Sequence, residues 1–262
     1  MTERLEAKER RKRRDPEIRV WDRVVRTHHW LLVLAFATLY LEYKKFPLHP
    51  YAGYLICLIL PIRIFWGFKG RGAAKFSSFW YSPKETFAYF RSALSGKASY
   101  YFSHNPMGAA MVYALLTCLS LNCILGLLAY SASQQLGPFQ ARIPDEWEET
   151  LIYWHIRLGH ATAVLVLGHL AGVLWAARLH RENYALGMLT GLRRIPRAMP
   201  LPEGAKHPEQ ASQRSEVVQG ILNWLNFRHP FVGTMILMAM LLGIGVLIIE
   251  YLVDLNRLLP AY

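Results

Sequence analysis

The chain has 262 residues, 53% of them hydrophobic, and carries 30 Lys and Arg against 18 Asp and Glu, a formal net charge of +12. Its apolar residues fall in blocks of near-membrane length, which excludes the dispersed helix and strand periods of a soluble core. The basic excess gathers in an N-terminal arm and in alternate loops, without an aromatic platform or zinc spacing; it excludes nucleic acid and fits a membrane-orienting role beside anionic lipid.

Residues 1–19 form a basic arm, and ten Lys or Arg precede the first apolar block: Arg4, Lys8, the run Arg10 to Arg14, Arg19, Arg23 and Arg26. That much charge, with no small-residue cleavage site after the block, argues against a signal peptide. The first span is predicted at about 24–42, with Arg23 and Arg26 snorkelling toward headgroups. The second, at 49–68, contains Pro61, which is expected to kink it. In the loop that follows, Ser82-Pro83-Lys84-Glu85 is a helix-start signal, and Phe87, Phe90 and Leu94 at helical spacing predict an interfacial helix over 82–95. The third span is predicted at 107–130. After an acidic loop bearing Asp145, Glu146, Glu148 and Glu149, the fourth follows at 151–177. A Pro-rich linker at 195–230 leads to a fifth apolar stretch at 231–250 and a short tail to residue 262.

The expected fold is therefore an all-α integral membrane protein: a four-helix transmembrane bundle over residues 20–194 plus a fifth C-terminal transmembrane helix. Loop charge sets its orientation. The arm side carries ten basic residues, the 69–106 loop six and the 178–230 segment eight, against four on the opposite side. Positive-inside places the N-terminus in the cytoplasm and the C-terminus outside. Cys57, Cys118 and Cys123 all lie within apolar blocks and are expected to be inert; no CxxCH is present for a covalently attached haem.

Ionisable groups inside spans need a reason to be there. A lone intramembrane histidine is most often a helix–helix hydrogen-bonding group, but the spacing here suggests more. His155 and His169 are fourteen residues apart, nearly four turns, so they share one helix face ~21 Å apart along its axis. By depth, His49 on the second span lies level with His155, and His28 and His29 on the first lie level with His169. Two such couples are what two six-coordinate haem irons need within a bundle. Arg63, fourteen residues after His49, either neutralises a propionate of the inner haem or snorkels to headgroups. Arg157 has a weaker claim at the outer level. His160 is turned roughly 140° from His155 and is not expected to be a ligand; His104 and His180 are expected at the interface.

The segments VWDRVVRTHHW (20–30), HPYAGY (49–54), RIFWGFKG (63–70), SHNPMGAAMV (103–112), HIRLGHATAVLVLGHLAGVL (155–174) and LHRENYALGMLTGLRR (179–194) occur in this order. In them the chain resembles the bacterial and Ni-hydrogenase-type di-haem cytochrome b family, also called cytochrome b561. The resemblance implies two b haems in a four-helix bundle, with His29, the histidine directly before the tryptophan, paired with His169 and His49 paired with His155. It also implies a quinone beside the inner haem at the start of the third span, where Asn105, His104 and Gly108 lie. Asn105-Pro106 equally reads as a helix cap.

The function expected is electron transfer between the quinone pool and a periplasmic redox partner, a cytochrome c or a dehydrogenase or hydrogenase subunit, in a bacterial inner membrane. With no nucleotide-binding glycine motif or flavin site in the chain, primary substrate oxidation would belong to another subunit. Two alternatives stand beside it: a self-contained superoxide:quinone oxidoreductase and a haem-free membrane scaffold or transporter.

Overall fold

The computed structural model describes residues 17–41, 48–134, 139 and 143–194; the arm before them, the 195–230 linker and the fifth span predicted at 231–250 lie outside the described residues. A short strand β1 (Glu17–Arg19) leads into helix α1 (Arg23–Leu41). Asp22 starts that helix, its Oδ1 accepting from the Val25 backbone N–H at 2.8 Å, which satisfies one of the first turn's orphan donors. Helix α2 (Leu48–Lys69) runs through Pro61. Its buried residues Ala52, Ile56, Ile59, Leu60 and Arg63 recur at helical spacing. The Ala52–Ile56–Leu60 part of that stripe packs on Ala35 of α1 and on Leu116, Leu119 and Cys123 of the third span.

Two single-turn segments (Gly72–Ala74 and Phe76–Phe79) connect to α3 (Pro83–Leu94). Its predicted start is realised as a reciprocal cap: Glu85 N–H donates to Ser82 Oγ at 3.2 Å and Ser82 N–H to Glu85 Oε2 at 2.7 Å. The Ser82 N–H and the Ser82 hydroxyl both donate to Glu85 Oε2, each at 2.7 Å, and hold that carboxyl below the usual carboxylate range. Phe87, Phe90 and Leu94 all face outward, as a helix lying on an apolar surface requires. Helix α4 (Pro106–Gln134) follows, then α5 (Glu148–His180), then the short α6 (Tyr184–Thr190) and strand β2 (Leu192–Arg194). β2 pairs antiparallel with β1 in the register Glu17↔Arg194, Ile18↔Arg193, Arg19↔Leu192. The turn into β2 needs Gly191: its φ is 80°, and a Cβ there would sit 2.6 Å from the Trp21 carbonyl oxygen.

Among the described residues three helices are long and apolar enough to cross a membrane: α2, α4 and the helix ending at His180. They expose Leu58, Ile62, Phe65, Leu121, Ile124, Val164 and Leu167, a surface suited to lipid. Helix α1 falls short because Arg23, Arg26, His28 and His29 occupy its first two turns. The helices pack in the order α1 on α2, α2 on α4 and α4 on α5. α5 reaches α1 and α2 chiefly through side chains, as the functional site shows.

Candidate functional site

His155 and His169 project from α5 toward two different helices. His49, in the first turn of α2, faces His155 with ring centres 6.0 Å apart and planes at 84°. His29 of α1 faces His169 at 6.4 Å and 58°. Two imidazoles bonded from opposite sides to one metal at about 2 Å, each ring centre roughly 1 Å behind its nitrogen, stand roughly 6 Å apart. Both pairs fit that separation.

The donor chemistry fits as well. The His49 Nδ1 lies 3.3 Å from the Leu39 carbonyl oxygen, and the His155 Nδ1 lies 3.2 Å from that of Asn122. A ring that donates its Nδ1–H to a carbonyl leaves the Nε2 lone pair for a metal. Gly126 on α4 makes room for the His155 ring: a Cβ there would come within 2.8 Å of Cε1 and 3.1 Å of Nδ1. The His29 ring stands edge-on to Trp30, with centres 5.1 Å apart, and its Nδ1 is buried without a partner. Among the described residues no three His, Cys, Asp or Glu side chains gather into a metal-binding group. Each pair offers instead two facing imidazoles, the donors that would hold an iron already carried by a porphyrin. Tyr40 spans the same seam, its hydroxyl donating to the Gly159 carbonyl.

His28 and His29 were equivalent by depth, but only His29 meets His169; His28 is 6% exposed, with its Nε2 unpartnered. Arg63 does not snorkel. It is 5% exposed, donates one long bond of 3.5 Å to the Ala74 carbonyl and lies over the Phe76 ring at 5.1 Å. Asp22, the acid in its electrostatic reach, already accepts from Val25 N–H and from Trp66 Nε1–H, each at 2.8 Å. Arg157 lies over Tyr153 of its own helix, and His160 is exposed.

His104 differs from the expectation of an interfacial side chain. Its ring is packed between Phe79 and Trp21, at centre distances of 4.4 and 4.8 Å, with Nδ1 buried and unpartnered. Burial, reinforced by Arg63, Arg193 and His169 nearby, pulls its pKa down to about 3, so the ring is neutral. Asn105 caps α4, its Oδ1 accepting from Gly108 N–H at 2.8 Å. The cap is tight, since a Cβ at Gly108 would lie 3.3 Å from that oxygen.

A second polar cluster has no counterpart in the sequence expectations, which treated Arg193 only as loop charge. Its guanidinium is buried and meets both Glu182 oxygens at 2.7 and 2.8 Å. It also donates to the carbonyls of Tyr101, Phe102 and Ser103, at 3.4, 2.9 and 3.1 Å. Burial opposes its charge, but Glu182, Tyr184 and Tyr100 together raise the Arg193 pKa. One side chain from β2 thereby fixes the loop that presents His104 and Asn105.

The sequence model of the family described as prokaryotic cytochrome b561 matches residues 20–191. The chain belongs to that family. It is thus a membrane cytochrome b of electron transfer that binds haem b and works with redox partners. The matched segment contains both histidine pairs of this cytochrome and ends just before β2. No curated protein and no solved structure gave a match to the chain.

Proposed function

We propose that this cytochrome b561 holds two b haems, one between His29 and His169 and the other between His49 and His155. It would carry electrons between a periplasmic redox partner and quinone, across a bacterial inner membrane. The observation that carries this reading is the pair of facing imidazole couples, at 6.0 and 6.4 Å, on levels about four helix turns apart. Bound haem supplies reversible one-electron chemistry at each level. The chain's own residues orient and tune it. The Leu39 and Asn122 carbonyls set the tautomers of His49 and His155, and Arg63 supplies a buried cation for a propionate of the inner haem.

In this reading α1 is a fourth span that starts at the cytoplasmic headgroups, and the fifth span, expected at 231–250, lies outside the described residues. The N-terminus is then cytoplasmic and the C-terminus periplasmic. His104, Asn105 and Gly108 form the quinone end: a neutral imidazole and the amide N–H₂ that the helix cap leaves over are both able to hydrogen-bond a carbonyl. At the outer end Asp145, Glu146 and Glu149 are exposed on the turn into α5, a surface that steers a basic donor such as a small cytochrome c.

The test is a reduced-minus-oxidised spectrum of the purified protein with haem-to-protein stoichiometry, followed by quinol-driven reduction. Two b haems per chain that quinol reduces are expected. A chain with fewer than two, or with haems that quinol cannot reduce, would overturn the proposal.

A further inference from the structure

His28 is an anomaly in this bundle: a polar ring buried in a helix of the membrane region, with its Nε2 lacking any hydrogen-bond partner. Such groups are kept where something satisfies them. Its position excludes the axial role, because His29 already faces His169 and adjacent helix residues point ~100° apart. The Asp22–Trp66 hydrogen bond, at 2.8 Å, holds the start of α1 against the end of α2, and His28 and Arg63 lie about one to two turns in from it on these packed helices.

Arg63 is the complementary anomaly. It is a cation at 5% exposure, with one 3.5 Å bond to a carbonyl and an aromatic ring beneath it. The nearby Asp22 has its two oxygens already engaged by Val25 and Trp66. A buried guanidinium needs an anion. The His28 ring, with its Nε2 buried and unpartnered, adds a second donor for the same anion.

Resting on the two-haem reading above, we propose that His28 is not an iron ligand. Its ring N–H joins the Arg63 guanidinium in binding one carboxylate of the inner haem. A carboxylate fits this pair because it neutralises the guanidinium and has enough lone pairs to accept from both side chains. The same arrangement makes reduction of the inner iron easier, since each donor offsets negative charge close to it.

The experiment compares full-length wild type, H28L, H28Q and R63Q by haem stoichiometry, electron paramagnetic resonance and redox titration. Both haems and both bis-imidazole signals are expected to persist in H28L. The inner reduction equilibrium should fall about tenfold, 59 mV for a one-electron couple, with the outer haem unmoved. H28Q, which keeps a donor, should recover part of the shift. R63Q should lower the same potential, and the double variant should fall short of the sum, since both side chains act on one anion. Loss of one haem or of one bis-imidazole signal in H28L would make His28 a ligand and overturn the proposal. So would unchanged potentials in both His28 variants. If H28L does not fold, H28Q decides alone: both haems kept, with a smaller downward shift at the inner one, sustain the proposal. Fewer than two haems in the wild type would fail the di-haem reading itself, whatever His28 does.

Discussion

Replacing Gly126 with alanine adds one methyl group where the His155 ring lies. The new carbon would stand 2.8 Å from Cε1 and 3.1 Å from Nδ1, whereas unstrained carbon contacts settle near about 3.5–4 Å. The ring must retreat by the better part of an ångström. A metal–nitrogen bond tolerates only about 0.2 Å, and the 3.2 Å bond from Nδ1 to the Asn122 carbonyl would be stretched or lost. Overpacking of this kind costs about 1–3 kcal/mol, so haem at the His49/His155 level should bind roughly five- to a hundred-and-fifty-fold more weakly. The measurement is pyridine haemochrome stoichiometry during detergent washing, with redox titration to tell the two haems apart. G126A should lose the outer haem selectively and keep the inner one. A variant retaining both haems at wild-type potentials would show that the space beside His155 is irrelevant to ligation.

Alanine at His49 or His155 should remove one haem, and alanine at His29 or His169 the other, each leaving the second spectrum intact; simultaneous loss of both from a single substitution would contradict independent sites. E182Q should destabilise the protein by about 3–5 kcal/mol, because it strands Arg193 as a buried cation; thermal unfolding in detergent measures this, and the double variant E182L/R193M should regain much of the loss. His104 has a folded pKa of about 3, below its unfolded value of 6.5, so the unfolded chain takes up the proton first. Stability should therefore fall as the pH drops below about 6.5, level off once the pH passes below the folded value, and fall less steeply in H104Q; an unchanged acid limb in that variant would place the pH dependence elsewhere.

Most of the architecture was written in the chain as apolar length and histidine spacing. The predicted spans at 24–42, 49–68, 107–130 and 151–177 became helices at Arg23–Leu41, Leu48–Lys69, Pro106–Gln134 and Glu148–His180. The fourteen-residue step from His155 to His169 was legible because helix periodicity converts spacing directly into a shared face. What periodicity cannot convey is contact between distant segments. Arg193 reads as one more solvated loop charge until β1 and α6 fold over it. His104 reads as interfacial until Trp21 and Phe79 close on it from segments far apart in the chain. Gly126 resembles any small residue in an apolar helix until the His155 ring occupies its missing side chain. Arg63 could be placed on the second span by its apolar length, but its burial depended on the Gly72–Ala74 and Phe76–Phe79 turns folding back against α2.

The packing order of the four long helices bears on how the protein matures. Three seams are sealed by backbone neighbours, and the last, from α5 to α1 and α2, is crossed by imidazoles and a tyrosine. On the two-haem proposal, this last seam is where the flat prosthetic groups would lodge. A metal held by each facing pair would join α5 to α1 and α2, tying cofactor delivery to the closing of that seam.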